Sequence, residues 1–307
     1  MKTISRRSFL KVSAGGIAAV GLAGCAGAAP TSAPGATAAP AATAAPAGPA
    51  KGGTAVIAID SDPESLNLGI TSGYSAGDVG AKIYNGLIWI DTNFVIKPSL
   101  AESWTISPDA KVYTFKLRQG VTWHDGKPFS SADVVYTFQE ILGKFHPRSQ
   151  ALVKRMKSIE APDANTVVIT LNDPYAPLLL QLNVFEAPIL QKALYDGQGD
   201  VLKNPVNSKP VGTGPFKFVE WTKGATVKLA RNDAYWDKGK PYLDTVVFPI
   251  IPQATNRSTA LETGEADFLA SFYLPLTDVE RLSKNTNLVQ KRGVAFPAIY
   301  FMMMNTT

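Results

Sequence analysis

Residues 111–117 alternate: Tyr113, Phe115 and Leu117 fall on one face, Val112, Thr114 and Lys116 on the other. A period of two predicts a half-buried strand. Asp125 and Gly126 follow as a tight turn, since glycine accepts positive φ and aspartate tolerates it. Ser130 and Asp133 form an S-x-x-D helix start, and Val134 or Val135, Phe138 and Ile141 or Leu142 recur behind it at helical spacing. Residues 54–60 are apolar and β-branched enough for a buried strand, and further strands are expected at 165–171, 216–221 and 244–251. A helix is expected to stop at Asn85 and Gly86 and to lead into a strand through Ile88, Trp89 and Ile90, with residues 91–94 turning the chain back. Residues 153–159 read as an exposed segment. Residues 172–178 read as the start of an apolar helix whose early prolines suit its first turn.

The first 50 residues follow a different pattern. Residues 1–24 read as a targeting segment: Arg6 and Arg7 precede an apolar run at 12–23 that is too short to span a bilayer comfortably. The twin arginines resemble a twin-arginine export signal, and Leu22, Ala23, Gly24 and Cys25 resemble a bacterial lipobox. Cys25 is then the lipidated first residue of the mature chain. It is the sole cysteine, so no internal disulfide can form. Residues 26–50 are almost wholly Ala, Pro, Gly, Thr and Ser, which cannot bury enough surface to offset ordering entropy. They are expected to be a disordered tether.

Charge changes the picture less than the total suggests. The formal net charge is +5, but Lys2, Arg6, Arg7 and Lys11 lie in the targeting segment, leaving about +1 for the rest. No basic cluster with interleaved aromatics follows, so no nucleic-acid partner is expected. His124 and His146 are the two histidines; they are far apart in sequence and match no metal spacing, so both are expected to be structural or solvated. Gly212 and Gly214 invite comparison with a dinucleotide loop, but the third glycine is missing and a strand pattern follows instead of a helix. No G-x-S-x-G, thiol cluster or histidine pair supports an enzyme, and no cofactor is expected.

The order A-E-S-W, Y-T-F-K-L-R-x-G-V-x-W-H-D-G-x-P-F, A-D-V-V-Y-T-F between Ala101 and Gln139 resembles the substrate-binding proteins of peptide and nickel ABC transporters, solute-binding family 5. The resemblance extends to G-T-G-P-F-x-F from Gly212, to R-N-x-x-Y-W from Arg231 with G-K-P-x-x-D from Gly239, and to A-L-x-x-G-E-x-D from Ala260. It implies an α/β fold of the two-lobed periplasmic-binding-protein type (class II). Residues 51–266 would be the first lobe and 267–307 the incomplete start of the second, with a helix at 277–283, strands near Leu288 and Ile299, and Met302, Met303 and Met304 in a buried strand. Family members continue past Asn305, so the chain is expected to be truncated.

The resemblance also places ligand at the loop of Thr71, Ser72, Gly73 and Tyr74, reached through a turn in which Leu68 stands where the family carries proline. Thr213 is a further candidate near the cleft floor. The implied function is a monomeric lipoprotein of an ABC importer, lipid-anchored at Cys25 to the outer face of the cytoplasmic membrane. It would capture oligopeptides or dipeptides and deliver them to permease subunits. Nickel, haem and oligosaccharide are the alternative ligands, and an exported cofactor-dependent enzyme is the rival from another class.

Overall fold

In a computed structural model of the protein, residues 51–269 and 273–289 are described. The targeting segment, the tether, Cys25, Ile299 and the three consecutive methionines lie outside them.

β1 (Thr54–Val56) leads through a buried loop to α1 (Tyr74–Ile83), and β2 (Ile88–Ile90) pairs with β3 (Ile96–Pro98). β4 (Ala101–Ile106) and β5 (Val112–Leu117) precede α2 (Ser131–Tyr136) and α3 (Ser149–Lys154). β6 (Met156–Asp163) and β7 (Thr166–Leu171) complete an antiparallel sheet of order β4-β5-β7-β6. β8 (Phe216–Thr222), β9 (Thr226–Arg231) and β10 (Thr245–Pro249) return to β1 and give a second sheet of order β1-β10-β9-β8. Only the β1–β10 pair in it is parallel. α4 (Ala254–Thr263) and α5 (Leu276–Ser283) follow.

The alternation in β5 does what its period requires. Tyr113, Phe115 and Leu117 are buried and pack with Val167, Ile169 and Leu171 of β7 in one core. The Asp125–Gly126 turn is present, with Gly126 at φ 84° and its N–H bonded to the Trp123 carbonyl at 2.8 Å. Ser130 and Asp133 form a reciprocal capping box, and Val134, Phe138, Ile141 and Leu142 are buried behind it. After α2 the helix widens into one π turn (Thr137–Leu142), closed by the Gly143 N–H on the Phe138 carbonyl. The Thr137 hydroxyl inside that turn donates to the Asp133 carbonyl and accepts from the Leu190 N–H.

The structure departs from the sequence pattern at several places. Residues 153–159 are the end of α3 and the start of β6, not an exposed segment without structure. β6 is an edge strand in which Ile159 is the one buried residue, so alternation is absent. The apolar run after Pro174 forms a 3₁₀ turn (Ala176–Leu182) with Pro177 in its first turn, instead of an α-helix. β1 is shorter than 54–60: after Val56 only single bridges remain, from Ile57 to Phe268 and from Ile59 to Ile250. The helix expected at 277–283 is α5, whereas residues 285–289 are not in a strand, and those from 290 onward lie outside the described residues.

A second core lies between α1 and the β1-β10-β9-β8 sheet, and includes Val79, Ile83, Leu229 and Phe248. Leu68, at the position where proline was expected, is buried there against Gly80; a side chain at Gly80 would stand 2.4 Å from the Leu68 Cγ. Asp244 ties the beginning of the sheet together, accepting from the Gly53 N–H at 2.9 Å and from Arg231 at 2.6 Å. Arg257, almost fully buried, donates to the carbonyls of Ile251, Pro252 and Tyr273. It thereby fixes Tyr273 beside the segment that leaves β10.

Candidate ligand-binding groove

One face of α1 forms a wall of a groove of about 1380 Å³. Gly73 and Tyr74, then Gly77 and Asp78, then Ala81, then Tyr84 and Asn85 reach it, a spacing of three and four that places them on one helical stripe. The opposite stripe, with Ala76, Val79, Gly80 and Ile83, is buried in the core. The other walls come from Trp89 and Phe94 of the β2–β3 hairpin, from Phe185, and from Tyr235, Trp236 and Tyr242. Gly77 lets Phe185 approach: a Cβ there would stand 3.0 Å from the ring.

Ser72, Gly73 and Tyr74 line this groove, and Tyr74 is 63% exposed. Thr71 is buried beside it, and its hydroxyl accepts from the Gly73 N–H at 3.2 Å, which shapes the loop. Thr213 is fully buried and donates to the Asn85 Oδ1 at 3.0 Å. Asn85 also accepts from the Trp236 indole at 3.2 Å. Thr213 therefore stands behind the groove wall and positions a residue of it.

The G-T-G loop has a steric reason. A Cβ on Gly212 would lie 1.9 Å from the Ile83 carbonyl oxygen, and one on Gly214 would lie 2.5 Å from the same atom. The loop thus lies directly on the end of α1, with the Gly214 N–H bonded to that carbonyl at 2.8 Å. His124 braces it from the other side. Burial, first of all, pushes the imidazole down to about 4. His146 is also buried and pushed down to about 4, and its Nδ1 accepts from the Ser149 N–H at the start of α3. Neither histidine lines the groove.

Charges in the groove are mostly compensated. Glu186 holds Arg148 through two contacts of 3.1 Å, Asp91 faces Lys97 at 3.6 Å, and Asp237 faces Lys240 at 2.8 Å. Arg118 stacks its guanidinium 4.5 Å over the Trp236 ring and donates Nε–H to the Ser99 carbonyl. Tyr235 is pushed up to about 12, chiefly by burial. Asp78 and the aromatic walls are groove residues that the sequence reading did not single out. The i, i+4 relation of Asp78 to Tyr74 was a signal that could have found Asp78.

The solved structures that align with the chain are periplasmic binding proteins, an α/β two-lobed fold. A structure of the periplasmic binding protein DppA from Helicobacter pylori in complex with the peptide STSA aligns with a TM-score of 0.69 at 35% identity over 78% of this chain and 50% of that one. The sequence model for bacterial extracellular solute-binding proteins, family 5 middle, matches residues 95–307, and the chain belongs to that family. The twin-arginine translocation signal model matches residues 3–23, which indicates export.

The oligopeptide-binding protein AppA of Bacillus subtilis is 32% identical over 257 residues, covering 82% of this chain and 46% of the relative. Heme-binding protein A of Haemophilus influenzae is 31% identical over 258 residues, covering 76% of this chain and 46% of the relative. The chain therefore spans about half the length of the relatives it matches.

Proposed function

We propose that the chain is the substrate-binding part of an ABC importer that captures oligopeptides or dipeptides outside the cytoplasmic membrane and hands them to permease subunits. The observation that carries this reading is the size and wall of the groove. Its volume of about 1380 Å³ exceeds the ~300–1,000 Å³ typical of small-molecule pockets. A bare metal ion would leave it nearly empty, whereas a short extended peptide would fill much of it. Ser72, Gly73 and Tyr74 are the residues assigned to ligand contact, with Thr71 and Thr213 supporting them. Residues 51–266 are taken as the first lobe and 267–307 as the start of the second. Cys25 is taken as the lipid anchor, joined to the folded body by the tether at 26–50; the protein acts as a monomer, without catalysis.

Calorimetric titration with mixed di- to pentapeptides tests the reading. Saturable heat with an affinity that falls ~10-fold or more on Tyr74→Ala supports it, and absence of any binding by the chain overturns it. The aromatic walls, with the resemblance to a heme-binding relative, favour haem as the second reading. Titration with haemin beside the peptides, read by Soret absorbance, separates the two.

A further inference from the structure

Asn85 stands just past the end of α1, and its side chain joins that helix to two other segments. Its Oδ1 accepts from the Thr213 hydroxyl at 3.0 Å and from the Trp236 indole N–H at 3.2 Å, and its Nδ2 donates to the Tyr235 hydroxyl at 3.5 Å. The indole N–H is a donor only, so it settles which end of the amide faces it. Tyr235 and Trp236 follow β9, with their ring centroids 4.9 Å apart, and both line the groove. Their backbone has an anchor of its own. Asn232 donates its Nδ2–H to the Gly214 carbonyl at 3.0 Å and its backbone N–H to the Pro215 carbonyl at 2.9 Å, and its carbonyl accepts from the Tyr235 N–H at 3.1 Å. The chain path there does not depend on Asn85; the setting of the two rings does.

We infer that Asn85 is a positioning residue: through the Trp236 indole it holds the Tyr235–Trp236 pair as a preset surface for an aromatic side chain of the ligand, and so gives the groove a preference for peptides that carry one. This rests on the reading of the groove as a peptide site. Two further observations point the same way. Of the six exposed aromatic side chains among the described residues, five line this groove: Tyr74, Trp89, Phe94, Phe185 and Tyr242. Rings left in water and gathered on one concave wall are covered best by another ring, because edge-to-face and offset contacts add to the area buried. The pair is also fixed before ligand arrives. Thr213, fully buried, holds the Asn85 oxygen from behind, and Arg118 covers one face of the Trp236 ring at 4.5 Å, which leaves the remainder of the pair, Tyr235 included, to the ligand.

Calorimetric titration of the chain with Ala-Phe-Ala and Ala-Ala-Ala tests the inference. The unmodified chain is expected to bind Ala-Phe-Ala ~10-fold or more tightly than Ala-Ala-Ala. Asn85→Leu, which removes the acceptor, is expected to bring the two affinities within ~3-fold of each other. Asn85→Asp, which keeps an oxygen acceptor, is expected to retain the preference. Trp236→Phe keeps a ring and drops the indole N–H, and it should lose the preference as Asn85→Leu does; it decides the matter if Asn85→Leu does not fold. It also identifies the Trp236 signal among the indole N–H resonances of the five tryptophans, and that signal is expected to move in Asn85→Leu. A preference that survives Asn85→Leu or Trp236→Phe, an unmoved Trp236 signal, or an equal loss of affinity for both peptides in Asn85→Leu overturns the role of Asn85. Equal binding of the two peptides by the unmodified chain overturns the aromatic preference while leaving the groove as a peptide site. Binding of neither overturns both.

Discussion

The imidazole of His124 clips the loop that begins at Gly212: its Nδ1 accepts from the Gly212 N–H at 3.2 Å, and its Nε2 donates to the Gly214 carbonyl at 3.0 Å. The His124 N–H completes the clip by donating to the Gly212 carbonyl at 2.9 Å. One neutral tautomer thus joins the turn after β5 to the loop before β8. His124→Ala removes both ring bonds and leaves a buried N–H and carbonyl in search of water. The expected loss is ~1–3 kcal/mol, read from the urea midpoint. An unchanged midpoint would mean that the clip is incidental.

The two histidines also set a pH dependence. Both are held neutral in the fold, near 4, whereas an unfolded histidine titrates at 6.5. Below 6.5 the unfolded chain gains protons that the folded chain refuses, so stability is full above that value and falls as pH drops toward about 4. Each histidine accounts for at most ~3 kcal/mol. Asp78 and Asp133, both raised mainly by burial, act in the opposite sense and offset part of the loss. The urea midpoint at pH 5 should lie below that at pH 7. A midpoint that is equal or higher at pH 5 contradicts the assignment.

Glycine should matter for different reasons at different places. At Gly212 an added Cβ meets a backbone oxygen at 1.9 Å, and backbone cannot step aside cheaply. Gly212→Ala should therefore cost more than ~3 kcal/mol or prevent folding. Gly120 has φ 72° and open space around it, so Gly120→Ala should cost only ~1–2 kcal/mol from conformation alone. Melting temperatures of the two variants rank them; a reversed order would refute the steric account.

Tyr74 begins α1 and is mostly exposed, so its side chain contributes little to the core. Tyr74→Ala should leave the melting temperature within about 2 °C while weakening peptide binding ~10-fold or more. A variant that binds normally would move the contact surface elsewhere on the groove wall.

Much of the fold was legible because its signals are local. The alternation in β5, the capping box at Ser130 and the glycine turn at Gly126 each depend on a few neighbouring residues, and each is present. What failed depended on position in the sheet. β6 hides because an edge strand needs only Ile159 inside, and residues 176–182 have the apolar content of a helix but follow Pro174 and carry Pro177, which favour a tighter turn. In the groove, the loop of Ser72, Gly73 and Tyr74 was reached through family resemblance, while Asp78 required knowing which stripe of α1 faces outward. Thr213 illustrates the converse: motif position placed it near the cleft, and only the structure shows that its hydroxyl is directed at Asn85.

α1 carries two obligations on separate stripes. Ala76, Val79, Gly80 and Ile83 hold the core, whereas Tyr74, Asp78 and Ala81 meet the groove. Under the proposed function, substitutions on the second stripe would change what is bound without touching the core packing of the first. A lineage carrying this helix would then drift from one ligand to another by a few surface changes, so that ligand preference would diverge faster than architecture.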